Sequence, residues 1–196
     1  MTDQGKSYDL IAEEFAKMRD SFYMEKKYID RFLQMLSTSA SILDLGCGSG
    51  YPIASYIISK GYLVTGIDSS KKLLAIAEKN CPSMQCILGD MRSIELIDRF
   101  DGIIEWWALF HIPKETHETM IKRFASWLKP GGILQFTTGD SVYEDSSKDM
   151  LNQELWFYSL APEEYEKYLK QNGFNILLCE NDQPQHLVWM AEYTRG

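Results

Sequence analysis

Apolar residues recur at helical spacing twice near the start of the chain, at Tyr8, Ile11, Ala12, Phe15 and Met18 and again at Tyr28, Ile29, Phe32, Leu33 and Leu36. Two amphipathic helices are therefore expected before any strand. From Ser41 the pattern changes to short β-branched or apolar runs at 42–45, 63–67, 86–88, 102–106 and 133–137, with amphipathic stretches between them at 70–79 and 116–128. Strands that alternate with helices imply parallel βαβ units with right-handed crossovers. Lys129-Pro130-Gly131-Gly132 reads as a stop between the second of those helices and the fifth strand, because proline cannot continue a helix and glycine permits the turn.

Residues 139–160 then break the rhythm with polar positions followed by Trp156, Phe157 and Tyr158, and are expected to be an insertion. Helical spacing returns over Pro162–Gln171, started by the proline and stopped by Asn172-Gly173, before two final strands at 174–179 and His186–Tyr193. The expected organisation is one domain over 1–196: a helical cap at 1–40, a core at 41–138, a lid-like insertion at 139–161 and a C-terminal helix with strands at 162–196.

Composition narrows the class. The 196 residues, 45% hydrophobic and 24% charged, suit a single globular domain with a full core. A formal net charge of −8 argues against an extended phosphate-binding surface, since nucleic-acid binders draw affinity from clustered Lys and Arg. Cys47, Cys81, Cys86 and Cys179 have neither Cys-x-x-Cys spacing nor the density of a disulfide scaffold, so reduced thiols and a cytoplasmic location are expected. The first residues lack an apolar leader core, and no apolar run approaches the roughly 20 residues of a membrane helix. The three histidines, His111, His117 and His186, lack the close spacing of a zinc site, so no metal is expected.

The most informative stretch is Ile42-Leu43-Asp44-Leu45-Gly46-Cys47-Gly48-Ser49-Gly50, a strand that enters a glycine loop. Glycine there lets the backbone turn sharply and a ligand approach closely. The dinucleotide pattern Gly-x-Gly-x-x-Gly is not met, because its last position falls on Tyr51 or Ile53. Asp68 ends the second strand, where its two acceptor oxygens suit a vicinal diol; capping the next helix is the bland alternative. Gly89-Asp90-Met91 follows the third strand, and Glu105-Trp106-Trp107 closes the fourth.

Asp-x-Gly-x-Gly-x-Gly, with these motifs in this order, resembles the class I S-adenosylmethionine-dependent methyltransferases, over 41–193 and in Tyr8-Asp9. The resemblance implies a Rossmann-like, doubly wound α/β fold: a mostly parallel seven-stranded sheet with helices on both faces and an antiparallel last strand. It implies that S-adenosylmethionine is bound and S-adenosylhomocysteine released. Gly46, Cys47, Gly48 and Gly50 would wrap the methionine part with Asp44 supporting its charged end. Asp68 and Ser69 would take the ribose, Asp90 and Met91 the adenine, and Glu105 and Trp106 would flank the methyl group, with Tyr8 closing over the site. Arg19 is a weaker candidate for the carboxylate.

His111 and Tyr158 are the catalytic candidates, since a base helps where the acceptor carries a proton. Trp107, Tyr143 and Trp156 are the candidate substrate lid, with core packing as the alternative for Trp156. His117 is placed on an exposed helical face and His186 at a strand start, neither favoured. The expected reaction is in-line methyl transfer to an O, N or S atom of a small molecule, by a monomer or homodimer without nucleic-acid or membrane partners. Gly139-Asp140-Ser141 lacks the Asp-Asn pair of metal-dependent relatives. A methyltransferase acting on protein or RNA, or an inactive cofactor-binding protein of this fold, remain the alternatives.

Overall fold

The computed structural model of the chain describes residues 4–22 and 24–195. Helices α1 (Gln4–Met18) and α2 (Lys26–Gln34) come first. They are followed by β1 (Ser41–Leu45), α3 (Ile53–Ser59), β2 (Leu63–Asp68), α4 (Lys71–Asn80), β3 (Gln85–Leu88) and β4 (Phe100–Glu105). Two 3-10 turns, Leu109–His111 and Lys114–Thr116, lead into α5 (His117–Trp127) and β5 (Leu128–Gly139). The chain closes with β6 (Tyr143–Met150), β7 (Gln153–Ser159), α6 (Pro162–Gln171), β8 (Phe174–Gln183) and β9 (His186–Tyr193).

Seven strands form one sheet in the order β3-β2-β1-β4-β5-β9-β8. The pairs from β3 to β5 are parallel, while β9 runs antiparallel to β5 and β8. This is the Rossmann-like, doubly wound sheet with an antiparallel last strand that the sequence implies. Its central strands read as continuous apolar runs because both faces are covered. Tyr28, Phe32, Ile42 and Ile57 build one core against α2, α3 and α4. Leu43, Leu45, Phe124 and Tyr165 build the other against α5 and α6. Each such side chain stabilises the fold by roughly 1.5–3 kcal/mol through burial.

Local signals set the helix ends that matter for the site. Ser70 caps α4, its Oγ accepting from Leu73 N at 3.1 Å and donating to Asp9 Oδ1 at 2.6 Å. Asp9 Oδ1 also accepts from Lys72 N at 2.9 Å, so Asp9 fastens α1 onto the start of α4. Gly5 lets the helices meet: a Cβ there would lie 2.7 Å from the Ser69 carbonyl oxygen.

The insertion takes a definite form, and two expectations, the stop at Lys129–Gly132 and the exposed face of His117, need correction. The insertion is an antiparallel hairpin, β6 paired with β7, and its two-residue turn places Leu151 and Asn152 at φ 51° and 60°. That geometry suits a right-twisted hairpin but usually carries Asn-Gly, so its sequence signal is weak. Lys129–Gly132 does not separate helix from strand, because β5 already begins at Leu128 and the four residues bulge between the pairs Phe100–Leu128 and Gly102–Ile133. His117 is buried rather than exposed. Tyr165 OH accepts from Leu160 N and bonds His117 Nδ1 at 2.7 Å, while His117 Nε2 bonds the Ile112 carbonyl at 3.0 Å. Both ring nitrogens are satisfied, and burial pushes the imidazole below its ordinary pKa. Among the described residues no helix is long and apolar enough to cross a membrane.

Candidate active site

A cavity of about 240 Å³ opens at the carboxyl ends of β1, β2, β3 and β4, beneath α1 and the β6–β7 hairpin. It lies where the sheet order reverses between β1 and β4, the usual ligand crevice of an open α/β sheet. Its floor is the glycine loop. Gly46, Gly48 and Gly50 sit at φ 74°, 55° and 78°, a region other residues enter only with strain. A Cβ on Gly46 would collide with Ala108 Cβ, and one on Gly50 would lie 2.9 Å from Cys81 Sγ. Gly46 and Gly48 line the cavity, whereas Gly50 lies outside the lining, packed toward α4.

Three carboxylates at neighbouring strand ends behave differently. Asp68 is tied down: Oδ2 accepts from Gly48 N and Oδ1 from Ser70 N, both at 2.8 Å. Burial raises its pKa against the pull of these N–H groups, and unused lone pairs remain for a ligand diol. Glu105 is fully buried and outside the lining. Its Oε1 accepts from Ala108 N and Leu109 N, both at 2.6 Å, and its Oε2 from Thr137 N at 3.0 Å. Its predicted place beside the methyl group is therefore corrected, since it shapes the turn after β4 from behind. Asp44 is 3% exposed and lines the cavity, yet no side chain or backbone group among the described residues donates to its carboxylate. Burial, then the charges of Asp68 and Glu105, push its pKa up to about 7.

The remaining expected cofactor residues are spread along the same wall. Cys47, Ser69, Asp90, Met91, Trp106 and Tyr8 all line the cavity. Burial raises the Asp90 carboxyl, but hydrogen bonds and charge from Arg92 outweigh it and hold it below the ordinary range. Arg92 Nε lies 2.9 Å from both Asp90 oxygens. Burial pushes the Cys47 thiol well up, so it stays protonated. Trp106 is buried with its indole nitrogen unpartnered.

His111 and Tyr8 meet across the opening. His111 Nδ1 lies 2.9 Å from the Trp156 carbonyl, which fixes its proton there and leaves Nε2 to accept from Tyr8 OH at 2.9 Å. Both nitrogens are thus engaged, and burial pushes the imidazole down to about 4. Tyr8 is raised, first by burial and then by Asp68. Tyr158 and Trp107 line the cavity, whereas Tyr143 and Trp156 fall outside the lining, so their side chains are corrected out of the lid wall. Trp156 stacks on Tyr158, ring centroids 6.0 Å apart, and contributes its carbonyl. Phe157 replaces it, with its ring 5.4 Å from Phe110 and 5.0 Å from His111. Phe157, Phe110 and Phe15 line the cavity without being among the expected site residues. Phe15 had a visible signal, being seven residues from Tyr8 on the same helical face.

Residues 42–132 match a family model described as a methyltransferase domain. A ubiquinone biosynthesis O-methyltransferase of Coxiella burnetii is 33% identical over 117 residues, 57% of this chain and 48% of that protein. The chain thus spans about half the length of the Coxiella relatives it matches. An uncharacterized methyltransferase of Bacillus mycoides is 24% identical over 216 residues, covering 97% of this chain and 99% of that one. The 1,6-didemethyltoxoflavin-N1-methyltransferase of Burkholderia thailandensis, solved with 1,6-didemethyltoxoflavin and S-adenosylhomocysteine, shares the fold at a TM-score of 0.77 and 16% identity, over 98% of this chain and 88% of that one.

Proposed function

We propose that the chain is a class I S-adenosylmethionine-dependent methyltransferase, a reading supported by the methyltransferase-domain match over 42–132 and the partial likeness to an O-methyltransferase, and that it transfers a methyl group from S-adenosylmethionine to an O, N or S atom of a small molecule by in-line displacement. The observation that carries this reading is Asp44, a buried carboxylate without a donor that faces the cavity beside Gly46 and Gly48. A buried anion of this kind is costly until a cation joins it, and the ammonium and sulfonium of the donor supply positive charge. When bound, S-adenosylmethionine provides a methyl group on a positively charged sulfur, already activated for displacement.

The chain's own residues then bind, orient and exclude water. Asp68 offers its remaining lone pairs to the ribose hydroxyls, and Asp90 with Met91 borders the adenine. Gly46 and Gly48 allow the backbone close approach. Phe15, Phe110 and Phe157 screen the cavity from solvent, and aromatic faces favour a neighbouring cation. His111 keeps a neutral imidazole near pH 7, so Nε2 serves as an acceptor that orients an acceptor hydroxyl or amine once Tyr8 yields its place; at about 4 its pKa makes it a weak base. Tyr158, on the hairpin, lines the same cavity. Enclosure of the cavity by α1 and the hairpin, with the net charge of −8, supports a small acceptor. We extend the reading to a cytoplasmic enzyme, monomeric or homodimeric, that uses no metal.

Calorimetric titration with S-adenosylmethionine and S-adenosylhomocysteine tests the cofactor part, on native protein and on Asp68→Ala. One-site binding that the substitution weakens is expected. A folded native protein that binds neither ligand overturns the proposal. Transfer of radiolabelled methyl to phenols, amines and thiols, compared with protein and RNA fractions, tests the acceptor class; label confined to the macromolecular fractions refutes it.

A further inference from the structure

The wall of the cavity at β4 is held from outside by side chains that the proposed function does not use. Trp107 follows β4 at φ 61°, a left-handed conformation that persists in a bulky residue only when its surroundings enforce it. Its backbone N–H donates to Thr137 Oγ1 at 2.9 Å and its indole N–H to His186 Nε2 at 2.8 Å. A ring nitrogen that accepts carries no proton, so His186 bears its hydrogen at Nδ1. That hydrogen is donated to Asp182 Oδ1, on a carboxylate whose side chain is fully buried.

Asp182 reaches this position through a bulge in β8. Asn181 pairs with Leu187 and Gln183 with His186, which leaves Asp182 as the extra residue. Bulges next to functional sites often re-aim a side chain in this way. Trp107 also carries Arg19, whose guanidinium carbon lies 4.7 Å from the indole centroid and whose Nη2 donates to buried Glu25 at 2.7 Å. Trp107 and Arg19 line the cavity, but Asp182 and His186 do not.

We propose that Asp182 and His186 are positioning residues that hold Trp107, and through it the Arg19 guanidinium, where the carboxylate of an α-amino acid group meets it. The proposal rests on the reading that the cavity takes S-adenosylmethionine. Asp44 from β1 and Arg19 from the end of α1 bring opposite charges to one cavity, the complement of an amino acid zwitterion. A planar guanidinium recognises a carboxylate only when its fork is correctly oriented, and an indole fixed in place limits its rotation.

The test compares S-adenosylhomocysteine with 5′-methylthioadenosine, the same thioether nucleoside without the amino acid, by calorimetry on native protein and on His186→Leu, His186→Gln and Asp182→Leu. His186→Leu and Asp182→Leu should weaken S-adenosylhomocysteine about tenfold, the effect of disturbing one charge-assisted hydrogen bond, and leave 5′-methylthioadenosine within about twofold. Glutamine can accept from the indole and donate to Asp182, so His186→Gln should restore most of the loss. Retained 5′-methylthioadenosine binding shows that the variants fold. Equal losses for both ligands, no loss for S-adenosylhomocysteine, or no recovery with glutamine would overturn the proposal. Native protein that binds neither ligand would instead remove the functional reading beneath it.

Discussion

Asp44→Asn should make the ligand-free protein more stable while it weakens ligand binding. Moving a carboxyl from 3.8 to about 7 makes its ionised form about 4 kcal/mol less favourable in the folded chain than in the unfolded one. Between those values the folded state holds a proton that the unfolded state has released, so native stability falls as pH rises through the interval and levels off above it. Asparagine does not titrate. Its advantage over aspartate should therefore grow by about 3 kcal/mol from pH 5 to pH 8, widening the gap in Tm by roughly 6 °C or more for a chain of this size. The buried amide without a partner costs about 1–3 kcal/mol, but at both pH values alike. Differential scanning calorimetry without ligand at pH 5 and pH 8 reads the difference directly. A Tm gap that stays constant between the two, or shrinks, refutes the view of Asp44 as a desolvated anion awaiting a cation. On the binding side, native affinity for S-adenosylmethionine should rise as pH passes through 7, and the asparagine variant should show no such rise.

Other substitutions separate binding from folding. Gly46→Ala forces a residue at φ 74° and a Cβ against Ala108, so calorimetry should show loss of S-adenosylhomocysteine binding, with stability reduced by about 1–3 kcal/mol. Ser70→Ala removes the α4 cap and the bond to Asp9, and urea unfolding should register a loss of about 1–2 kcal/mol. Tyr165→Phe leaves His117 Nδ1 and Leu160 N without their partner, for a loss of about 2 kcal/mol in the same assay. Because that hydroxyl lies off the cavity, ligand affinity in Tyr165→Phe should stay native.

What the sequence made legible was whatever backbone conformation demands of particular residue types. Gly46, Gly48 and Gly50 were readable because a left-handed backbone selects glycine, whereas the cap of α4 is Ser70 and not Asp68, both being short side-chain acceptors that suit an N-cap. His117 was equally readable and was misplaced. It shares the i, i+3, i+7 face of Met120 and Phe124, but its polarity was weighed above its spacing. On the hairpin the error was one of parity: without a strand assignment, Trp156 and Phe157 were indistinguishable, and pairing puts Leu155, Phe157 and Ser159 on one face. His186 and Asp182 had no local signal. Their meeting with Trp107 depends on β9 lying beside β5 and on a bulge that only the folded pairing reveals.

Perturbed acidity alone does not separate the functional carboxylate from the structural one. Asp44 and Glu105 are both pushed up to about 7, and burial is the chief cause for each. They differ in their partners. Glu105 accepts from three backbone N–H groups and in return fixes the turn that places Ala108 against Gly46, so its burial is compensated within the fold. Asp44, one strand away in the sheet, has no such compensation, and the neighbouring charges of Asp68 and Glu105 add to its cost. An unpaired buried anion survives in a marginally stable protein only where other contacts outweigh it, and its relief must come from outside the chain. The glycine loop therefore gives the ligand its space, and the carboxylate without a donor gives the sign of the charge that the ligand carries.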